Sequence, residues 1–192
     1  MKKYLLCFLS LWVAFAAQAD WQLNSDKSSL NFVSIKKSAI AEVHSFKQLS
    51  GSIKTTGEVE LLINLASVDT NIAIRNERMK SLLFEVGKFA TANILAKVDG
   101  AKLQAMKAGD FYYDDVAMVL GLHGIDKKIT AAMSVVKLSD GSIRVSSVRP
   151  VIIATQDFAL SDGVEALRVV ANLPVISTAV PVTFSAVFTE SD

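Results

Sequence analysis

The chain holds a single cysteine among 192 residues, and Cys7 lies close to its start. From Asp20 onward there is no thiol, which excludes disulfides, thiolate nucleophiles and cysteine-based metal sites from that stretch. Proline is scarce, at three residues, and neither a Pro-rich nor a Gly-rich linker divides the chain. Histidine occurs only at His44 and His123. Charge of one sign is missing too: 20 basic residues face 19 acidic ones. Without a basic surplus to neutralise phosphates, nucleic acid is not an expected partner. No G-x-S-x-G elbow, H-E-x-x-H, Walker A loop or G-x-G-x-x-G occurs, so none of the common catalytic frameworks is written in the sequence.

What is present begins with a leader. Lys2 and Lys3 precede an apolar stretch from Tyr4 to Ala16, and Ala17-Gln18-Ala19 forms a small-x-small cleavage site. That is the anatomy of a secretory signal peptide cut before Asp20. The stretch is short for a permanent span, which takes roughly 20 apolar residues, although an uncleaved anchor is the competing reading. The expected division is therefore a leader, 1–19, and one domain, 20–192. A single core suffices at this size, where roughly 70% of the unfolded surface can be buried.

Beyond the leader, apolar and polar residues alternate with a period of two, the mark of half-buried strands. The expected strands include Ser29 to Ile35, Ile40 to Phe46, Glu58 to Asn64, Ala92 to Val98, Phe111 to Leu122, Ile129 to Leu138, Ile143 to Ile153 and Val180 to Thr189. Gly51 marks a bend in a further strand, and Asp140-Gly141 suits a hairpin. Two stretches change to helical spacing. One runs from Asn76 to Val86; the other runs from Gly163 to Asn172, with Asp162 as cap, Glu165 completing a capping box and Pro174 beyond the end. So many antiparallel strands in one short chain require a closed barrel or a sandwich to hide their edges. The expected class is all-β: an antiparallel lipocalin-like barrel of about eight strands with one or two short helices, a size that is either filled by side chains or holds one small ligand. Several strands are apolar on both faces, as where Tyr112, Val116 and Met118 alternate with Tyr113, Ala117 and Val119. A strand buried on both sides and an unfilled apolar lumen both explain this.

Individual residues carry less. His44 or His123 could serve a Ser-His-Asp triad or a metal site, but two histidines on separate strands equally suit structural hydrogen bonds. Glu58 and Glu60 share a strand face, which suits acid–base chemistry or simply a solvated surface. Arg75, Arg78 and Lys80 could hold an anionic head group or line the exposed side of a helix.

Four segments in order resemble the YceI-like family. His44-Ser45-Phe46-Lys47-Gln48-Leu49-Ser50-Gly51 is similar to its H-x-x-x-V-x-G stretch. The run from Val68 to Phe84 resembles S-V-x-T followed by R-[DN]-x-H-L and a Phe-rich turn. Leu120 to Ile129 resembles L-T-[IL]-H-G-[VT]-T-K-x-V, and Gln156 to Leu160 resembles R-x-D-[FY]-G-[IL]. The match runs from about Trp21 to Phe188. Departures are Arg78 in place of the family's histidine, Leu83-Phe84 in place of a Phe pair, and Ala159 in place of glycine.

The resemblance implies an extended barrel with a long apolar lumen that binds polyisoprenoid or similar amphiphilic chains in the periplasm. The expected function is a carrier of such a chain, without catalysis and without metal or cofactor. The expected polar contacts at the pocket mouth are Arg75, Asn76 and Arg78, with His44 and His123 behind them. The expected lumen residues are Phe32, Phe84, Tyr112 and Phe184, subject to inversion by one step of register. Arg78 favours an anionic head group. Two other functions compete: a hydrolase or isomerase that uses His44 or His123, and an interaction module serving an envelope-stress or membrane electron-transfer partner.

Overall fold

The computed structural model describes residues 20–191. The expected leader, 1–19, lies outside them. Twelve strands form one antiparallel sheet: β1 (Trp21–Leu23), β2 (Ser29–Lys36), β3 (Ile40–Phe46), β4 (Leu49–Ile53), β5 (Glu58–Asn64), β6 (Val68–Asp69), β7 (Thr91–Lys97), β8 (Phe111–Leu122), β9 (Ile125–Lys137), β10 (Ile143–Ser147), β11 (Val151–Ala154) and β12 (Ala179–Glu190). The helices are α1 (Ala73–Arg78), which runs into a π-helical turn, Met79–Leu83, then α2 (Gly100–Ala105) and α3 (Ser161–Val170).

Closure comes from β1, which pairs with β4 on one side and with β12 on the other. The ring runs β1-β4-β5-β7-β8-β9-β10-β12 and returns to β1. The barrel is built on two levels because β12 changes partners along its length. Its C-terminal half pairs with β10 and β1, while its N-terminal half, Ala179 to Ser185, pairs with β11 and β2. At that second level β2 carries β3 and then β6 outward, and the barrel flares.

Local chemistry explains the connections. β8 and β9 pair along twelve positions, from Phe111↔Val136 to Leu122↔Ile125. Their link is His123-Gly124, with φ of 52° and 76°, the double left-handed geometry of a type I′ turn. The strand expected from Ile143 to Ile153 is two strands, because Pro150 interrupts the ladder between them.

The helices depart from expectation in more detail. The first starts at Ala73, not Asn76, and its last turn is a π turn closed by Phe84 N–H donating to Met79 C=O at 2.9 Å. The extra residue changes the phase, so Met79 and Leu83 are buried while Leu82 is exposed. The capping box on α3 does not form: the helix begins at Ser161 after Leu160, without a side-chain cap, and Glu165 pairs with Arg168 instead. α3 lies against the π turn at Gly163, where an added Cβ would sit 2.7 Å from the Leu82 carbonyl oxygen. α2 had no counterpart in the sequence reading. Asp99 caps it by accepting from Lys102 N–H, and Leu103 packs with Trp21, Ile53, Ile143 and Phe188 to seal the ring end.

Candidate functional site

The inward faces of the strands do not fill the barrel. A cavity of about 430 Å³ lies at the flared level, walled by β2, β3, β12, α1 with its π turn, and α3. A smaller chamber of about 100 Å³ lies toward the ring end. Leu30, Ile63, Ile94, Met118 and Phe184 line both and form a waist between them. The bulk of the wall is aliphatic and aromatic. Phe32, Phe46 and Phe84 stack in series on one side, with centroid separations of 5.4 and 5.6 Å.

Polar groups gather at one end only. β2 and β3 pair Phe32 with His44 and Ser34 with Glu42, and all four side chains line the cavity. This inverts the usual pattern. On β3 the polar Glu42 and His44 point inward, while Val43, 63% exposed, faces out. One Glu42 carboxylate oxygen accepts from Lys36 Nζ at 2.7 Å and from Arg75 Nη1 at 2.9 Å. The Lys36 hydrogen bond, helped by Arg75, holds the Glu42 carboxyl below its ordinary range against the opposing effect of burial. Arg75 Nη2 donates to the Thr70 carbonyl at 2.6 Å. His44 is 3% exposed, and its Nε2 shares a 2.8 Å hydrogen bond with Ser34 Oγ. Three buried polar atoms on this wall have no partner among the described residues: His44 Nδ1, Arg75 Nε and Thr155 Oγ1.

Burial pushes the His44 pKa down, and the Arg75 charge adds to that. An imidazole that resists protonation when folded leaves the unfolded chain holding more protons as pH falls below the ordinary histidine value of 6.5. Stability is therefore expected to fall as pH drops through and below 6.5. His44→Phe should remove this part of the slope, even though the protein is less stable overall for leaving Ser34 Oγ unpaired. Urea titrations of both proteins at a series of pH values check it, and equal slopes would refute it.

Of the residues expected at the site, Arg75, Arg78, His44, Phe32, Phe84 and Phe184 line the main cavity, and Tyr112 lines the inner chamber. Asn76 and His123 do not. Asn76 Oδ1 accepts from Thr70 N–H and Thr70 Oγ1, at 2.8 and 2.6 Å, and so ties α1 to the strand before it. His123 sits in the β8–β9 turn, where Nδ1 meets the Phe158 carbonyl at 3.2 Å and Nε2 meets Glu85 at 3.1 Å. Its ring packs on Phe89 at 4.3 Å. Both nitrogens are engaged in holding loops together. Sequence reasoning missed Ser34, Lys36, Glu42 and Thr155. The signal available was β2 itself, where Ser34 and Lys36 follow Phe32 at period two and so share its face. Glu58 and Glu60 lie on the outer surface, and Lys97 pairs with Glu58.

A closed antiparallel barrel with a lined interior cavity and helices over its wider end defines a lipocalin-like class. The YceI-like domain model matches residues 21–188, and the chain belongs to that family. It is similar to the solved structure of a polyisoprenoid binding domain from Saccharophagus degradans implicated in plant cell wall breakdown, at 40% identity and a TM-score of 0.87, with 89% of this chain and 98% of that one covered. The fold is shared with Burkholderia cenocepacia BcnA, at 17% identity and a TM-score of 0.68, covering 87% and 99% of the two chains. It is also shared with a Campylobacter jejuni YceI protein, at 15% identity and a TM-score of 0.54, covering 100% and 99%. No curated protein sequence matches the chain.

Proposed function

We propose that this protein is a non-catalytic periplasmic carrier that holds an apolar polyisoprenoid- or lipid-like chain in its lumen, and that it is exported by a leader, 1–19, cleaved ahead of the barrel domain, 20–192. The observation that carries the reading is the cavity of about 430 Å³ with polar groups confined to one end. Its size falls within the roughly 300–1,000 Å³ of small-molecule pockets. Each methylene moved from water into such a cavity contributes about 0.8 kcal/mol. The apolar wall therefore supplies affinity, and the polar end fixes which way round the chain lies. The S. degradans neighbour, a polyisoprenoid binding domain, supports the choice of an isoprenoid chain.

His44 Nδ1 and Arg75 Nε are the two groups we assign to the ligand's polar end, with Arg78 beside them; all three residues line the cavity. Extraction of the protein from its native host with organic solvent, followed by mass spectrometry, should release a long amphiphilic chain. Release of nothing, together with no uptake of a fluorescent prenyl alcohol, would overturn the reading. His44→Phe keeps a ring of similar shape but removes the hydrogen bond, which is worth about 1 kcal/mol. The variant should bind a prenyl alcohol about fivefold more weakly while its affinity for the matching hydrocarbon is unchanged. Competition titrations of the two probes read the difference.

A further inference from the structure

The cavity opens between α1, the tip of the β2–β3 hairpin and the C-terminal end of α3. Hydrogen bonds fix the order around this rim. Arg75 of α1 meets Glu42 of β3. Lys37 N–H at the hairpin tip donates to the Val175 carbonyl, and Lys36 bridges to Ile176 in the segment that follows α3. The rim is apolar and open to solvent: Ile72 is 46% exposed, Ile74 59%, Val169 58% and Val170 44%, with Ile40 and Val175 beside them. Ile72, Ile74 and Val170 also line the cavity, so the exposed apolar surface runs without a break into the lumen.

The same rim is cationic. Lys36, Lys37, Arg75, Arg78, Lys80 and Arg168 stand around it, and its carboxylates Glu42, Glu77 and Glu165 are each already paired with one or two of them. No ion pair involves Lys37 or Arg78 among the described residues. This local excess of positive charge stands out on a chain whose formal net charge is only +1.

We propose that the mouth is a docking ring for an anionic phospholipid bilayer, with Ile72, Ile74 and Val170 entering the acyl boundary while Lys37 and Arg78 meet the head groups. The proposal rests on the carrier reading, which it deepens by naming the surface with which the lumen exchanges its chain. A ligand of this kind is costly to pass through water one methylene at a time. A rim that is apolar where it meets the lumen and basic where it meets solvent lets the chain move from bilayer to cavity without that exposure. No helix among the described residues is long and apolar enough to cross a membrane.

The test is co-sedimentation with vesicles of phosphatidylcholine mixed with phosphatidylglycerol, against vesicles of phosphatidylcholine alone. The proteins are the wild type, Ile74→Asp, Val170→Asp, Lys37→Glu and, on the outer wall, Val43→Asp. All carry the same amino terminus, so differences among them report on the barrel. The wild type should bind the mixed vesicles. Ile74→Asp and Val170→Asp should weaken binding tenfold or more. Lys37→Glu should weaken it at least fivefold, at low salt only, since one basic side chain near an anionic surface is worth about fivefold. Val43→Asp should bind as the wild type does. Equal losses for Val43→Asp and the rim variants would overturn the proposal. So would binding to native membranes that protease treatment abolishes, with no binding to pure lipid, because the partner is then a protein. If the wild type ignores both vesicles yet takes up a prenyl chain from detergent, the docking ring is wrong and the carrier reading stands. Rim-dependent vesicle binding without any chain uptake supports the ring and sinks the carrier reading instead.

Discussion

Ile94→Trp should yield a folded protein that takes up prenyl chains at least a hundredfold more weakly than the wild type. Ile94 sits on β7 between Leu61 of β5 and Leu120 of β8 and lines both chambers at the waist. In a packed core an added indole would cost about 1–3 kcal/mol in strain. Here it enters open space, so the melting temperature should stay near that of the wild type. What it removes is room for the chain. Losing one five-carbon unit from the cavity forfeits about 4 kcal/mol at 0.8 kcal/mol per carbon, close to a thousandfold in affinity. The control is the next residue along the strand. Leu95 points outward and is 45% exposed, so Leu95→Trp should bind as the wild type does. Native mass spectrometry after extraction and reloading separates the two. An Ile94→Trp protein that still carries a full-length chain would mean that the ligand lies elsewhere.

The second large effect concerns folding. Gly51→Ala should destabilise the barrel by more than about 3 kcal/mol and lower its melting temperature by about 10 °C, given roughly 2–4 °C per kcal/mol for chains of this size. Gly51 has φ of +154°, and a Cβ there would stand 2.3 Å from the Glu60 carbonyl oxygen and 2.9 Å from Leu61 Cα. Both obstacles are backbone of the paired strand β5, which cannot give way without breaking the ladder that closes the ring through β4 and β1. Gly141→Ala separates the steric cause from the conformational one. Gly141 has φ of +82° with nothing within 4 Å, so only the left-handed strain of about 1–2 kcal/mol applies. Thermal melts that showed equal losses at the two positions would refute the steric account.

The fold was largely legible because alternation is a strong signal wherever one strand face is wet. β8 was bounded correctly, and the barrel follows from the number of strands with edges to hide. The flared level was harder to read for a physical reason. On β3 the inward face is mixed: Glu42 and His44 sit in the cavity wall alongside Phe46, while Val43 faces water. Reading hydrophobic as inside fails where inward polar side chains pair with one another, as Glu42 does with Lys36 and Arg75. His123 shows the opposite limit. Its position before Gly124 belongs to a turn that needs two left-handed residues, and a histidine chosen for that geometry looks from its letter alone like a binding residue. α2 was missed because six residues present too few turns for helical periodicity to register. The π turn after α1 escaped because no sequence pattern counts one extra residue into a helix.

The shared strand β12 has one more consequence. Because it threads both storeys without a break, the strands that wall the cavity hang from the same segment that fastens the hoop beneath, so one continuous ladder anchors both levels.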